Sequence, residues 1–105
     1  MRCTNCRLSF ETIKQMQQDQ TEFYTAEGRS KIWIAEIDES SKTIRMRRST
    51  GKITWPLKYQ ELKEIHDRIQ QGQLILDKYE IDKAIPTWGN YITGLLNHLR
   101  CFKDR

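Results

Sequence analysis

No apolar run in this chain reaches the roughly 18 residues that a membrane-crossing helix needs. The opening stretch Met1–Phe10 also lacks the continuous apolar segment of a secretory leader. Together these point to a cytoplasmic protein. Cysteine is scarce, at three residues, an odd number too small for a disulfide framework. Reduced thiols are the expectation that goes with that compartment. Glycine is thin as well: Ser49–Lys52 holds a single Gly, so no Gly-rich phosphate cradle can be read anywhere. No Ser, Cys or Thr is accompanied by a recognisable base and orienting group. The expectation is a protein that is not an enzyme, with no catalytic residue to name.

Aromatics are present in number. Three Trp, four Tyr and three Phe in 105 residues argue against disorder. The length fits one domain, 1–105, with a single modest core.

Charge is unevenly placed. From Arg29 to Lys58 there are eight cations, Arg29, Lys31, Lys42, Arg45, Arg47, Arg48, Lys52 and Lys58, against three anions, Glu36, Asp38 and Glu39. This local net of +5 exceeds the +4 of the whole chain, so the excess belongs to one region. Its centre is Thr43–Arg48, T-I-R-M-R-R. On a strand Ile44 and Met46 share a face with Arg48, and Thr43, Arg45 and Arg47 share the other. Either Arg48 sits at the strand's end and swings out of the apolar set, or a bulge at Ser49 shifts the phase.

The hydrophobic pattern predicts an α+β fold. A short helix over Phe10–Gln18 is capped by Ser9 and carries Phe10, Ile13 and Met16 at three-residue spacing. An antiparallel meander of three or four strands then covers Glu22–Leu57. Lys31–Ile37 places Ile32 and Ile34 on one face and Trp33, Ala35 and Ile37 on the other, as an interior strand would. Ile53, Trp55 and Leu57 share a face of the last strand, which Pro56 confines to an edge. Lys58–Gln71 is the next helix, with Leu62, Ile65 and Ile69 inward and Gly72 as the stop. Gln73–Ile85 is ambiguous: Leu74, Ile75 and Leu76 read as a short strand or a buried turn, and Asp77–Ala84 as including a helical turn. From Pro86-Thr87 a final helix runs to Phe102, with Trp88, Tyr91, Ile92, Leu95, Leu96, Leu99 and Phe102 on one arc. Gly94 lies off the arc and suits close approach of another element. The two long helices are expected to cover one sheet face.

Arg45, Arg47, Arg48 and Lys52 are the candidate nucleic-acid-binding residues. Cations at this density grip phosphates, and Trp33 or Trp55 would stack on bases if exposed. The competing reading is a solvated face whose cations pair with Glu36, Asp38 or Glu39. The favoured partner is therefore nucleic acid, with an acidic protein surface as the alternative. In that second case the chain would be a small regulator or inhibitor, dimeric through its C-terminal helix.

A lesser constellation is Cys3-x-x-Cys6 with His98-x-x-Cys101, whose spacings suit the two halves of a zinc site. The long interval between the pairs weighs against it, and no cofactor is expected. His66-Asp67 lies on a helix where neighbours diverge by about 100°, so it does not read as a catalytic dyad.

Overall fold

The structure is a computed structural model and describes residues 8–102. Ser9 caps the first helix, α1 (Phe10–Asp19), its hydroxyl accepting Thr12 N–H at 3.0 Å. Ile13 and Met16 are buried from this helix. Gln20, left-handed at φ 53°, ends it and returns its N–H to Gln17 O and Met16 O.

Four strands follow: β1 (Phe23–Tyr24), β2 (Lys31–Asp38), β3 (Thr43–Arg48) and β4 (Leu57–Lys58). They form one antiparallel meander in the order β1-β2-β3-β4. The first turn uses Gly28 at φ 73°. The second is an Asx-type turn, in which the Asp38 carboxylate accepts Ser40 N–H at 3.0 Å and Ser40 Oγ–H at 2.7 Å. The α+β class and the meander agree with the sequence reading.

Two strand details differ from it. The β2–β3 register slips between Ile34 and Glu36, so Ala35 is an extra, bulged residue. Beyond the bulge the phase inverts, and Ile37 pairs with buried Ile44 instead of sharing a face with Trp33. The irregularity thus lies on β2, and none is needed at Ser49. The expected last strand is also broken. Ile53 makes one isolated bridge to Arg47, Thr54 turns inward, and regular pairing resumes only at Leu57. Trp55 is therefore exposed although Leu57 is buried.

The helix α2 (Tyr59–Gln70) starts where Glu61 accepts Lys58 N–H at 3.2 Å. It buries Leu62, Ile65 and Ile69, and Gly72 at φ 79° follows its end. The ambiguous stretch resolves into α3 (Lys78–Ala84), capped by the Asp77 carboxylate on Tyr79 N–H and Glu80 N–H. One more helix follows the sheet than the pattern suggested. The last helix, α4 (Gly89–His98), opens later than Pro86 because Thr87 is left-handed at φ 73° and cannot continue a helix.

Every residue of the predicted C-terminal arc is buried, as is the strand set Ile32, Ile34, Ile44 and Met46. These side chains join Ile13, Met16, Phe23 and the α2 residues in one core. Ile53, expected there, is only partly buried. Among the described residues no helix is long and apolar enough to cross a membrane.

Candidate nucleic-acid interface

Strict alternation holds along β3. Ile44 and Met46 are fully buried, and the arginines flank them. Arg45 and Arg47 stand on the open face. Glu36 lies opposite Arg45 and Trp33 opposite Arg47, so each pair shares that face.

Both open-face arginines are steadied by backbone carbonyls. Arg47 Nη1 donates to Gly51 O at 3.1 Å, across the turn. Arg45 Nε donates to Thr54 O at 2.9 Å. That carbonyl is free to accept because of a substitution in the ladder. Thr54 N–H donates to Met46 O at 2.8 Å, but Met46 N–H donates to the Thr54 hydroxyl at 2.9 Å. The side chain thus takes the bond that a regular strand would give to its backbone oxygen. A guanidinium carries five N–H donors, so one bond to a carbonyl orients the group and leaves donors for a ligand.

Arg48 lies on the helix side, with Ile44 and Met46 as strict alternation places it, and neither swings out at the strand's end nor shifts phase at Ser49. Its Nη2 donates to Ser30 Oγ at 3.1 Å, and its guanidinium carbon sits 5.8 Å from the centre of the Tyr91 ring. Here it lines a cleft of about 450 Å³ together with Lys52, Trp55, Lys78, Tyr79 and Asn90. Trp55 is 74% exposed and Tyr79 66% exposed. Arg48 Nε and Asn90 Oδ1 are buried without a hydrogen-bond partner.

The four predicted cations are therefore divided between two sides of β3. Arg45 and Arg47 stay together on the open face. Arg48 and Lys52 meet across the following turn, at the cleft. Lys78, Tyr79 and Asn90 were not legible as site residues, since only the packing of α3 and α4 brings them beside Lys52.

The nearby anions mostly have other work. Asp38 is held in its turn, and its pKa is lowered chiefly by the Ser40 hydroxyl and then by backbone N–H groups. Glu39 pairs with Lys14 at 3.2 Å. Glu36 meets Arg45 Nη1 at 3.6 Å, a partly exposed pair of small net worth. Lys78 pairs with Glu27, and their hydrogen bond raises the lysine pKa and lowers that of the carboxylate. Among the described residues Arg47, Arg48 and Lys52 have no carboxylate within ion-pair distance.

The other candidates form no comparable arrangement. Glu36 and Asp38, two carboxylates on one strand face as metal-dependent nuclease chemistry would need, are engaged as just described. His66 Nδ1 and Asp67 Oδ1 do meet, at 3.1 Å, which the helical angle alone did not suggest. The bond to His66 lowers the Asp67 pKa, with Lys63 adding to it. The imidazole packs on Phe102 at 4.9 Å, and its Nε2 is buried without a partner, so the ring faces the interior while the Asp67 carboxylate stays partly exposed. Of the zinc set, Cys3 and Cys6 lie outside the described residues. Cys101 is buried and disulfide-bonded, contrary to the expected free thiol, and so is not the thiolate that zinc requires. Exposed His98 has its ring 5.4 Å from that of Phe23.

Comparison with known proteins supplies no relative: no family model, curated protein or solved structure matches the chain.

Proposed function

We propose that this chain is a small non-enzymatic binding module whose ligand is nucleic acid. The observation that carries the reading is the pairing of aromatic rings with cations that, among the described residues, have no carboxylate at ion-pair distance. Trp55 is 74% exposed beside Lys52 and Arg48 at the cleft, and Trp33, half-buried, stands opposite Arg47 on the open face. Cations supply the sequence-independent grip on phosphates, and exposed rings supply stacking surfaces for bases.

A fluorescence-anisotropy titration against labelled DNA and RNA tests this. Binding is expected at low salt, with a log–log salt slope of about −3 to −4 if four phosphates are contacted. No binding to any single- or double-stranded probe at low salt removes the proposal.

The second reading, docking on an acidic protein, draws on the same charge and on Ile75, which is 69% exposed near Tyr79 in sequence. A protein partner would need that apolar flank, so replacing Ile75 by Glu separates the readings. Nucleic-acid affinity is expected to change little. Dimerisation through the C-terminal helix has less support, because the apolar arc of α4 is buried within its own chain.

A further inference from the structure

We infer that the cleft between the β3–β4 connection and helices α3 and α4 takes one unstacked nucleotide of a single strand. Its base lies against Trp55 and its phosphate is held by Lys52 and Arg48. This rests on the nucleic-acid reading above and narrows it to a strand type and a residue that selects it.

Three features lead there. The first is the split of the cations. Arg47 and Arg48 are consecutive on β3 and emerge on opposite sides of the sheet. A straight duplex laid on the open face meets Arg45 and Arg47 and misses the cleft. A flexible strand can pass round the turn at Ser49–Lys52 and meet both sets. The second is the exposed indole. Inside a duplex both faces of each base are already stacked, so Trp55 offers its surface only to a base that is splayed out. The third is the wall chemistry of the cleft. Its volume of about 450 Å³ falls within the small-ligand range, about 300–1,000 Å³. Lys78 is matched by Glu27, and the Asp82 carboxylate accepts Gly89 N–H at 2.9 Å. The cations left for a phosphate are Arg48, set on Tyr91, and exposed Lys52. Asn90 Oδ1, buried without a partner in the same wall, is an acceptor that a small local shift would offer to a base edge.

The experiment uses the full chain and three labelled probes of about twelve nucleotides: oligo-deoxythymidine, oligo-uridine and a mixed-sequence DNA duplex. Each is titrated against the native protein, Trp55→Ala, Trp55→Phe and Arg45→Ala. Trp55 is largely exposed, so its variants are expected to fold, and their urea midpoints check this. The native protein should bind the single strands more tightly than the duplex. Trp55→Ala should weaken single-strand binding by about 5- to 150-fold, the range of one base–aromatic stack, while leaving duplex binding nearly unchanged. Trp55→Phe should keep most of the affinity, and Arg45→Ala should weaken all three probes. Duplex binding as tight as single-strand binding, with Trp55→Ala without effect, overturns the inference and leaves the broader reading standing. Failure of every probe to bind removes the broader reading and the inference together.

Discussion

Gly94 passes so close to Tyr24 that a Cβ placed on it would lie 2.2 Å from the Tyr24 carbonyl oxygen. The obstacle is strand backbone, which cannot turn aside as a flexible side chain would. Helix α4 therefore needs a hydrogen at this position to lie against β1. In an open helix, Gly→Ala would stabilise by about 1 kcal/mol. Here Gly94→Ala should instead cost roughly 3 kcal/mol, read as a lower urea midpoint at unchanged slope. The comparison is Gly72→Ala, at φ 79° with nothing within 4 Å of the added atom. That change should cost only about 1–2 kcal/mol of backbone strain. A Gly94→Ala protein as stable as the native one would show that the helix can move off the strand.

Thr54→Val separates the ladder from the site. The isostere keeps the volume but leaves Met46 N–H without its acceptor in a buried position. The expected loss is about 1–3 kcal/mol in urea unfolding. Because the Thr54 carbonyl also orients Arg45, the affinity for single-stranded probes should fall as well. Thr54→Ser, which retains the hydroxyl, should recover most of both. If Thr54→Val lowers neither, the hydroxyl is not holding this edge.

Arg47→Ala should affect binding with little effect on stability. Among the described residues its guanidinium bonds only to the Gly51 carbonyl at the turn and has no carboxylate within ion-pair distance. Stability should stay within about 0.5 kcal/mol of the native protein. The salt slope should become shallower by a little under 1, as expected when one phosphate contact is lost. An unchanged slope would place Arg47 outside the interface.

Acid should weaken the fold through three carboxylates. Hydrogen bonds lower the pKa of Asp38 (chiefly from Ser40), of Glu27 (from Lys78) and of Asp67 (from His66). A depressed folded pKa gives stabilisation that is complete above the unfolded value and is lost as pH falls through the folded one. The urea midpoint should therefore hold steady near neutrality and decline from about pH 4 downward. Lys14 and Lys78 have raised pKa values, so their contribution is complete below the ordinary lysine range and is lost only in strong base. Asp38→Asn should flatten the acid limb. A midpoint that rises toward low pH would contradict the sign.

Most of the framework could be read from residue pattern. Ser9, the α2 stripe and the C-terminal arc each follow from one local rule of capping or helical periodicity. The meander follows from alternation interrupted by turn residues. What stayed hidden depends on partners. Ala35 carries no mark of a bulge, being neither Gly nor Pro, yet it inverts the phase of Ile37. Thr54 looks like an ordinary strand residue until its hydroxyl is seen to stand in for a carbonyl. Thr87 adopts a left-handed conformation that its sequence gives no reason to expect. In the site, Arg45 and Arg47 were correctly placed on one face by alternation alone. The cleft was not legible, because Lys78, Tyr79 and Asn90 reach Lys52 only through tertiary packing.

The bulge at Ala35 has an effect beyond turning Ile37 inward. Among the described residues β1 pairs only with Lys31 and Ile32, so beyond them β2 lies at the edge of the sheet, with α1 packed close by. A long, regular rim would invite another chain to add a strand. Here the bulge breaks the even spacing of peptide groups midway along it, and exposed Glu36 and Asp38 follow directly. Irregular spacing and charge both penalise a templated neighbour. The residue that corrects the packing of the core therefore also makes this stretch of β2 a poorer template for a further strand.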